Sequence, residues 1–231
     1  MNRTLNVIRL QLVNRQTYVW VPLIVLTGAF VVTLAIYALL SSSGLPGPFY
    51  GGSAHAPLWY FLFVGIQALT MTFPFSQALS ITRREFYLGT LATATITAIL
   101  LATVFVIGGF LEDATGGWGM NGYFFQLTWI WEAGWWAAWL FYFAFTVLVF
   151  TIGFASATLY KRFGPLWVAL VYTALALLLV GVMWVIGRLD AWGQVFTWFA
   201  DQGAVGITLW GLLLTVVLAA GSFLTLRRAT P

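Results

Sequence analysis

The chain has 231 residues, of which 61% are hydrophobic and only 7% are charged, with a formal net charge of +4. Ordinary soluble domains carry about 25% charged residues, and a soluble core of this size grows too slowly with chain length to hide so much apolar surface. That composition excludes a soluble globular protein and predicts an all-α integral membrane protein, a single transmembrane domain over 1–231 with the bilayer as its solvent.

In chain order, a polar lead over 1–18 carries Arg3, Arg9 and Arg15, with Leu5, Ile8 and Leu12 sharing a face. It reads either as a basic cytoplasmic helix on anionic headgroups or as flexible solvated chain. Six apolar runs then follow, over 19–40, 58–79, 86–110, 135–160, 164–187 and 205–226. Each has at least 22 residues and no Asp, Glu, Lys, Arg or His, where about 20 suffice to cross the hydrocarbon as a helix. The first run exceeds the core of a secretory signal, about 7–15 residues, and is read as an uncleaved span. Pro22 and Pro74 are placed to kink the first two spans. Along the third span Thr90, Thr93 and Thr97 lie beside Ala94, Ala98 and Ala102, a small-residue face suited to close helix packing.

Two further segments are too apolar for plain loops and too short to span: 122–134, and 191–202 with Trp192, Val195, Phe196 and Phe199 on one helical face. Both are expected to be short interfacial or re-entrant helices on the outer side.

Basic residues set the expected orientation. Arg3, Arg9, Arg15, Arg83, Arg84, Lys161, Arg162, Arg227 and Arg228 fall on one side of the six spans, and Arg188 alone on the other. Short loops rich in Lys and Arg stay inside, so both termini are expected in the cytoplasm. Glu112, Asp113, Glu132, Asp190 and Asp201 then lie outside, as do eleven of the thirteen tryptophans, an aromatic belt at the headgroups.

Reactive chemistry is scarce. The only histidine, His55, sits in a glycine- and proline-rich loop with no Cys, Asp or Glu near it in sequence, so it reads as solvated, and no metal or other cofactor is expected. Nothing matches the P-loop pattern G-x-x-x-x-G-K-[ST], the sole lysine being Lys161. No ionisable group lies within a span, which weighs against an intramembrane acid–base enzyme and a proton-coupled carrier. No nucleic-acid partner is expected, and the chain is not expected to be an enzyme itself.

Against that background the run Ser80-Ile81-Thr82-Arg83-Arg84-Glu85-Phe86 packs charge and an aromatic into the turn between the second and third spans. A short protruding tip with arginine and aromatic groups suits docking to another protein. The run resembles the turn S-x-T-R-[RK]-x-[FY] between the second and third spans of ABC-2-type permease subunits of small bacterial exporters, and the six-span layout is similar over the whole chain. The resemblance implies an ATP-driven exporter permease in a bacterial cytoplasmic membrane, moving a hydrophobic or amphipathic substrate. It implies a separate P-loop ATPase subunit as partner, and a permease homodimer or heterodimer. Ser80, Thr82, Arg83, Arg84, Glu85 and Phe86 would form the ATPase-coupling loop, and Trp192, Val195, Phe196 and Phe199 the outer re-entrant helix. The alternative is a non-transporting polytopic membrane protein, an immunity or sensor component acting only through partner binding.

Overall fold

The computed structural model describes residues 3–13 and 15–227; Arg228 lies outside them. Helix α1 (Arg3–Val13) precedes a first span, Gln16–Ser42, which opens with a π turn over Gln16–Trp20 and continues as α2 (Val21–Ser42). The second span, Gly52–Ala78, is assembled from a 3-10 turn (Gly52–His55), α3 (Ala56–Gln67), a π turn (Ala68–Thr72) and α4 (Phe73–Ala78). Helix α5 (Arg83–Ala114) is the third span; α6 (Thr128–Trp131) is one short turn; α7 (Trp135–Phe163), α8 (Pro165–Arg188) and α9 (Trp192–Arg227) complete the six. All six spans are long and apolar enough to cross a membrane, as in a multi-pass membrane protein.

Each of these two π turns ends two residues before a proline, Pro22 and Pro74. Proline lacks the N–H that the carbonyl four residues back requires, and a local slip to wider hydrogen-bond spacing accommodates its ring.

The core is built on α3, α5 and α7. Thr90, Thr93, Ala94, Thr97, Ala98 and Ala102 of α5 are all buried, so the small-residue face is a packing face as expected. The closest approach is between α3 and α7. A Cβ added at Gly153 would lie 2.0 Å from the Leu62 carbonyl oxygen, and one at Gly65 would lie 2.2 Å from that of Phe150. The two helices touch backbone to backbone, which glycine alone permits. Large rings, Phe61, Phe86, Phe105, Tyr142, Phe150 and Phe154, fill the core of which that contact is part.

Helix α1 does not lie free. It packs on α5, burying Val7 and Gln11, while Arg9 stays exposed and Ile8 and Leu12 are half-buried. Gln11 donates from Nε2 to the Thr90 hydroxyl at 2.8 Å. The face that docks is thus the i, i+4 pair Val7 and Gln11, one position off the stripe expected from apolarity.

Opposite α1 the bundle is capped by segments that differ from expectation. The stretch 122–134 is not one interfacial helix: Gly122–Tyr123 forms a strand, β2, parallel to β1 (Phe49–Tyr50), and only Thr128–Trp131 is helical. The reason is Glu112. Helix α5 runs on past residue 110, and places this carboxylate, with no exposed surface, beneath the cap. It accepts hydrogen bonds from the backbone N–H groups of Phe124 (2.6 Å), Phe125 (3.0 Å) and Gln126 (2.7 Å) and from the Trp118 indole (2.7 Å). Three successive amides turned onto one carboxylate cannot also serve a helix ladder. Tyr37 and Tyr142 tie down the same loop, donating to the carbonyls of Tyr123 (3.0 Å) and Phe125 (2.7 Å).

Helix α9 has 36 residues, about 54 Å if straight, well beyond the roughly 30 Å hydrocarbon layer. It breaks at Gly203, where φ is +56° and ψ −172°, a conformation reserved in practice for glycine. The piece before the break is too short to span, and the piece after it is long enough. Helix α8 stands apart. None of its 24 residues is buried, and its contact with the bundle is chiefly with α7, through the Gly164 turn and a Tyr172–Ser156 hydroxyl pair.

Candidate functional site: the turn between the second and third spans

The turn is built from two helix ends placed back to back. Helix α4 closes with Ser80 in the left-handed conformation, φ +55°. The Ser80 N–H reaches the Gln77 carbonyl at 3.0 Å, and the Ile81 N–H reaches that of Ser76 at 3.1 Å. These are the two bonds of a Schellman ending, with Ile81 as its buried apolar anchor. Helix α5 then starts at once. Thr82 is its N-cap, accepting from the Glu85 N–H at 3.3 Å, and the Glu85 carboxylate accepts from the Thr82 N–H at 2.9 Å and the Thr82 hydroxyl at 2.7 Å. This reciprocal capping box also sets an acid in the first turn, where the helix dipole favours it.

Local structure thereby accounts for most of the motif. Phe86 is fully buried and packs edge-on against Phe73, ring centroids 5.1 Å apart, so it is core and not surface. Arg83 donates from Nη1 to the carbonyls of Leu226 (3.4 Å) and Arg227 (3.1 Å), covering the unpaired end of α9 where a cation is favoured. Tyr87, one turn further on, donates to the Ala219 carbonyl at 2.5 Å. Of the six residues expected to form the coupling loop, Ser80, Thr82 and Arg84 are exposed, Arg83 and Glu85 are half-buried, and Phe86 is inside. The turn is therefore rigid, linked to the end of α9, and presents Arg84 as its outward cation.

A direct consequence is that the left-handed position tolerates glycine and penalises branching. Ser80→Gly should leave the unfolding midpoint unchanged or slightly raised, and Ser80→Val should lower it by about 1–2 kcal/mol equivalent, as read by thermal unfolding in detergent.

At the other end, the residues expected to form the outer re-entrant helix do lie on a helix, in the piece of α9 before Gly203. Trp192 and Phe196 stack at 6.0 Å; Trp192 and Val195 are half-buried, and Phe196 and Phe199 are exposed. His55 is not simply solvated: its ring lies 6.1 Å from Phe145 and 6.5 Å from Phe141. Sequence reasoning left Glu112 among the outer acids; its place two residues before the end of a span-length helix, followed by a glycine-rich segment, was the only signal available. Among the described residues no group of His, Asp or Glu is arranged to hold a metal ion.

No protein-family model, no curated protein and no solved structure matches the chain.

Proposed function

We propose that the chain is the permease subunit of an ATP-driven exporter in a bacterial cytoplasmic membrane, with both termini inside. It would move a hydrophobic or amphipathic substrate as one half of a permease homodimer or heterodimer, with hydrolysis on a separate P-loop ATPase chain. The observation that carries this reading is the turn between α4 and α5: capped on both sides, with Arg84 facing out and Arg83 bonded to the end of α9. A push on that tip cannot be absorbed locally. It passes to the start of α5, through Arg83 to α9, and through the Gln11–Thr90 bond to α1. Such a link lets ATP-driven closure of the partner bias two arrangements of the spans.

The test is charge reversal at the exposed position. Arg84→Glu should leave the unfolding midpoint within about 0.5 kcal/mol equivalent, because the residue is at the surface, while reducing ATPase co-purification and vesicle transport about tenfold or more. Normal pairing and transport by Arg84→Glu would refute the docking role.

A second reading, a polytopic protein that binds partners without transporting, draws support from the spans themselves. The hydroxyls of Thr93, Thr97, Thr146, Thr208 and Thr215 donate to carbonyls of their own helices. Their hydroxyl hydrogens are spent within the helices and are not offered to a passing polar substrate. That protein would bind its partner, yet would move no probe across a vesicle membrane.

A further inference from the structure

The capped end of the bundle holds a cleft of about 450 Å³ between α3, α7 and the part of α9 beyond Gly203. Its size is that of an ordinary small-molecule site. Aromatic rings make its wall. Trp59 meets Phe145 edge-on at 5.3 Å, Trp129 meets Phe141 edge-on at 5.2 Å, and Phe141 and Phe145 stack at 6.1 Å. Ring faces carry the negative part of the aromatic quadrupole and attract cations.

Two polar side chains in the cleft, His55 and Thr208, carry acceptors. His55 Nδ1 lies 3.2 Å from the Gly52 carbonyl oxygen. A carbonyl only accepts, so Nδ1 carries the hydrogen and the neutral ring keeps its lone pair on Nε2. Thr208 spends its hydroxyl hydrogen on the Ala204 carbonyl at 2.6 Å, leaving oxygen lone pairs. The cleft thus offers acceptors on His55 and Thr208 and the π faces of its rings, beside the indoles of Trp59 and Trp129. The helix ends and connections at this end of the bundle carry Asp113, Glu132, Asp190 and Asp201 against Arg188, a negative field that draws cations in. A cation that both donates and carries an apolar body can use the His55 acceptor, the ring faces and the apolar wall together.

We infer that this cleft binds the primary ammonium group of an amphiphile, with N–H donated to His55 Nε2 and the charge held against the rings of Trp59, Trp129, Phe141 and Phe145. The site stands whether or not the chain transports. Two sources share this chemistry, a free long-chain amine and an ethanolamine lipid headgroup.

The chain has one histidine, so [15N]histidine labelling gives a single imidazole whose two nitrogens are resolved by NMR. In the full chain, held in phosphatidylcholine nanodiscs near neutral pH, Nδ1 should be protonated and Nε2 bare. Adding dodecylamine should move Nε2 upfield. Dodecyltrimethylammonium, with the same chain and charge but no N–H, should leave it in place. A shift already present when phosphatidylethanolamine is included assigns the site to the lipid headgroup; a shift with dodecylamine alone assigns it to a free amine. His55→Phe keeps a ring in the wall and should weaken binding of radiolabelled dodecylamine about tenfold or more. The proposal is overturned by an Nε2 that is protonated from the start, by an Nε2 unmoved by both amine sources, or by His55→Phe binding dodecylamine as well as the parent chain.

Discussion

Replacing Glu112 with alanine should lower the unfolding midpoint by about 10 °C, the equivalent of roughly 3–5 kcal/mol. The carboxylate is fully buried, and its loss strands three backbone N–H groups and an indole that have no other acceptor among the described residues. A hydrogen bond to a charged group contributes about 1.5–3 kcal/mol net, and an orphaned buried donor costs about 1–3. Water reaching the loosened loop recovers part of that sum, which is why the total stays below four full bonds. Glu112→Gln keeps one acceptor oxygen but turns an NH2 group onto the remaining donors, and should lose about half as much. Protease cleavage within 115–127 should rise in both variants, since those donors hold that loop in place. Glu132→Ala, an exposed acid nearby in sequence, is the control and should stay within about 0.5 kcal/mol. A midpoint for Glu112→Ala equal to the control's would mean that the carboxylate does not hold the cap.

The second large effect belongs to the glycine pair. Gly153→Ala adds one carbon 2.0 Å from the Leu62 carbonyl oxygen, and Gly65→Ala adds one 2.2 Å from that of Phe150. The opposing atoms are backbone, so no side chain can rotate away. Helices α3 and α7 must separate, and every ring packed around that contact loses neighbours. Each variant should lose about 2–3 kcal/mol, the upper range for overpacked cores, and Gly65→Leu should fail to yield folded protein. Gly181→Ala and Gly221→Ala give the contrast. A Cβ at either position meets nothing within 4 Å, so both should be neutral or gain up to about 1 kcal/mol from helix propensity. Equal midpoints for all four alanine variants would refute the backbone contact.

These two predictions mark where sequence reading reached its limit. Six spans were legible because apolar length is a property of each segment alone, and the Thr and Ala face of α5 was legible because its spacing is local. Gly65 and Gly153 were not: each is one glycine among 23, and only the crossing of two helices distant in the chain makes them a pair. Glu112 was hidden for a similar reason. Its partners are 6 to 14 residues away in a segment whose aromatic content reads as a membrane-surface helix. At the turn the difficulty was of another kind. Glu85 and Phe86 looked like parts of a docking surface because the capping signature, Thr followed three residues later by Glu, coincides with the charged motif. Geometry separates the two: Glu85 and Phe86 serve the fold, and Arg84 is left facing out. His55 was read from its glycine- and proline-rich neighbours, whereas its surroundings are set by Phe141 and Phe145, which lie on α7.

Helix α8 gives the protein an internal reference. Because none of its side chains is buried, exchanging one apolar residue for another along it removes no contact in the core. Defects that arise there while the unfolding midpoint stays constant report on what the helix meets beyond this chain. A mutational scan of residues 165–188, read by function and by unfolding midpoint together, thus separates assembly from folding, and maps on a single helix which side faces lipid and which faces a neighbour.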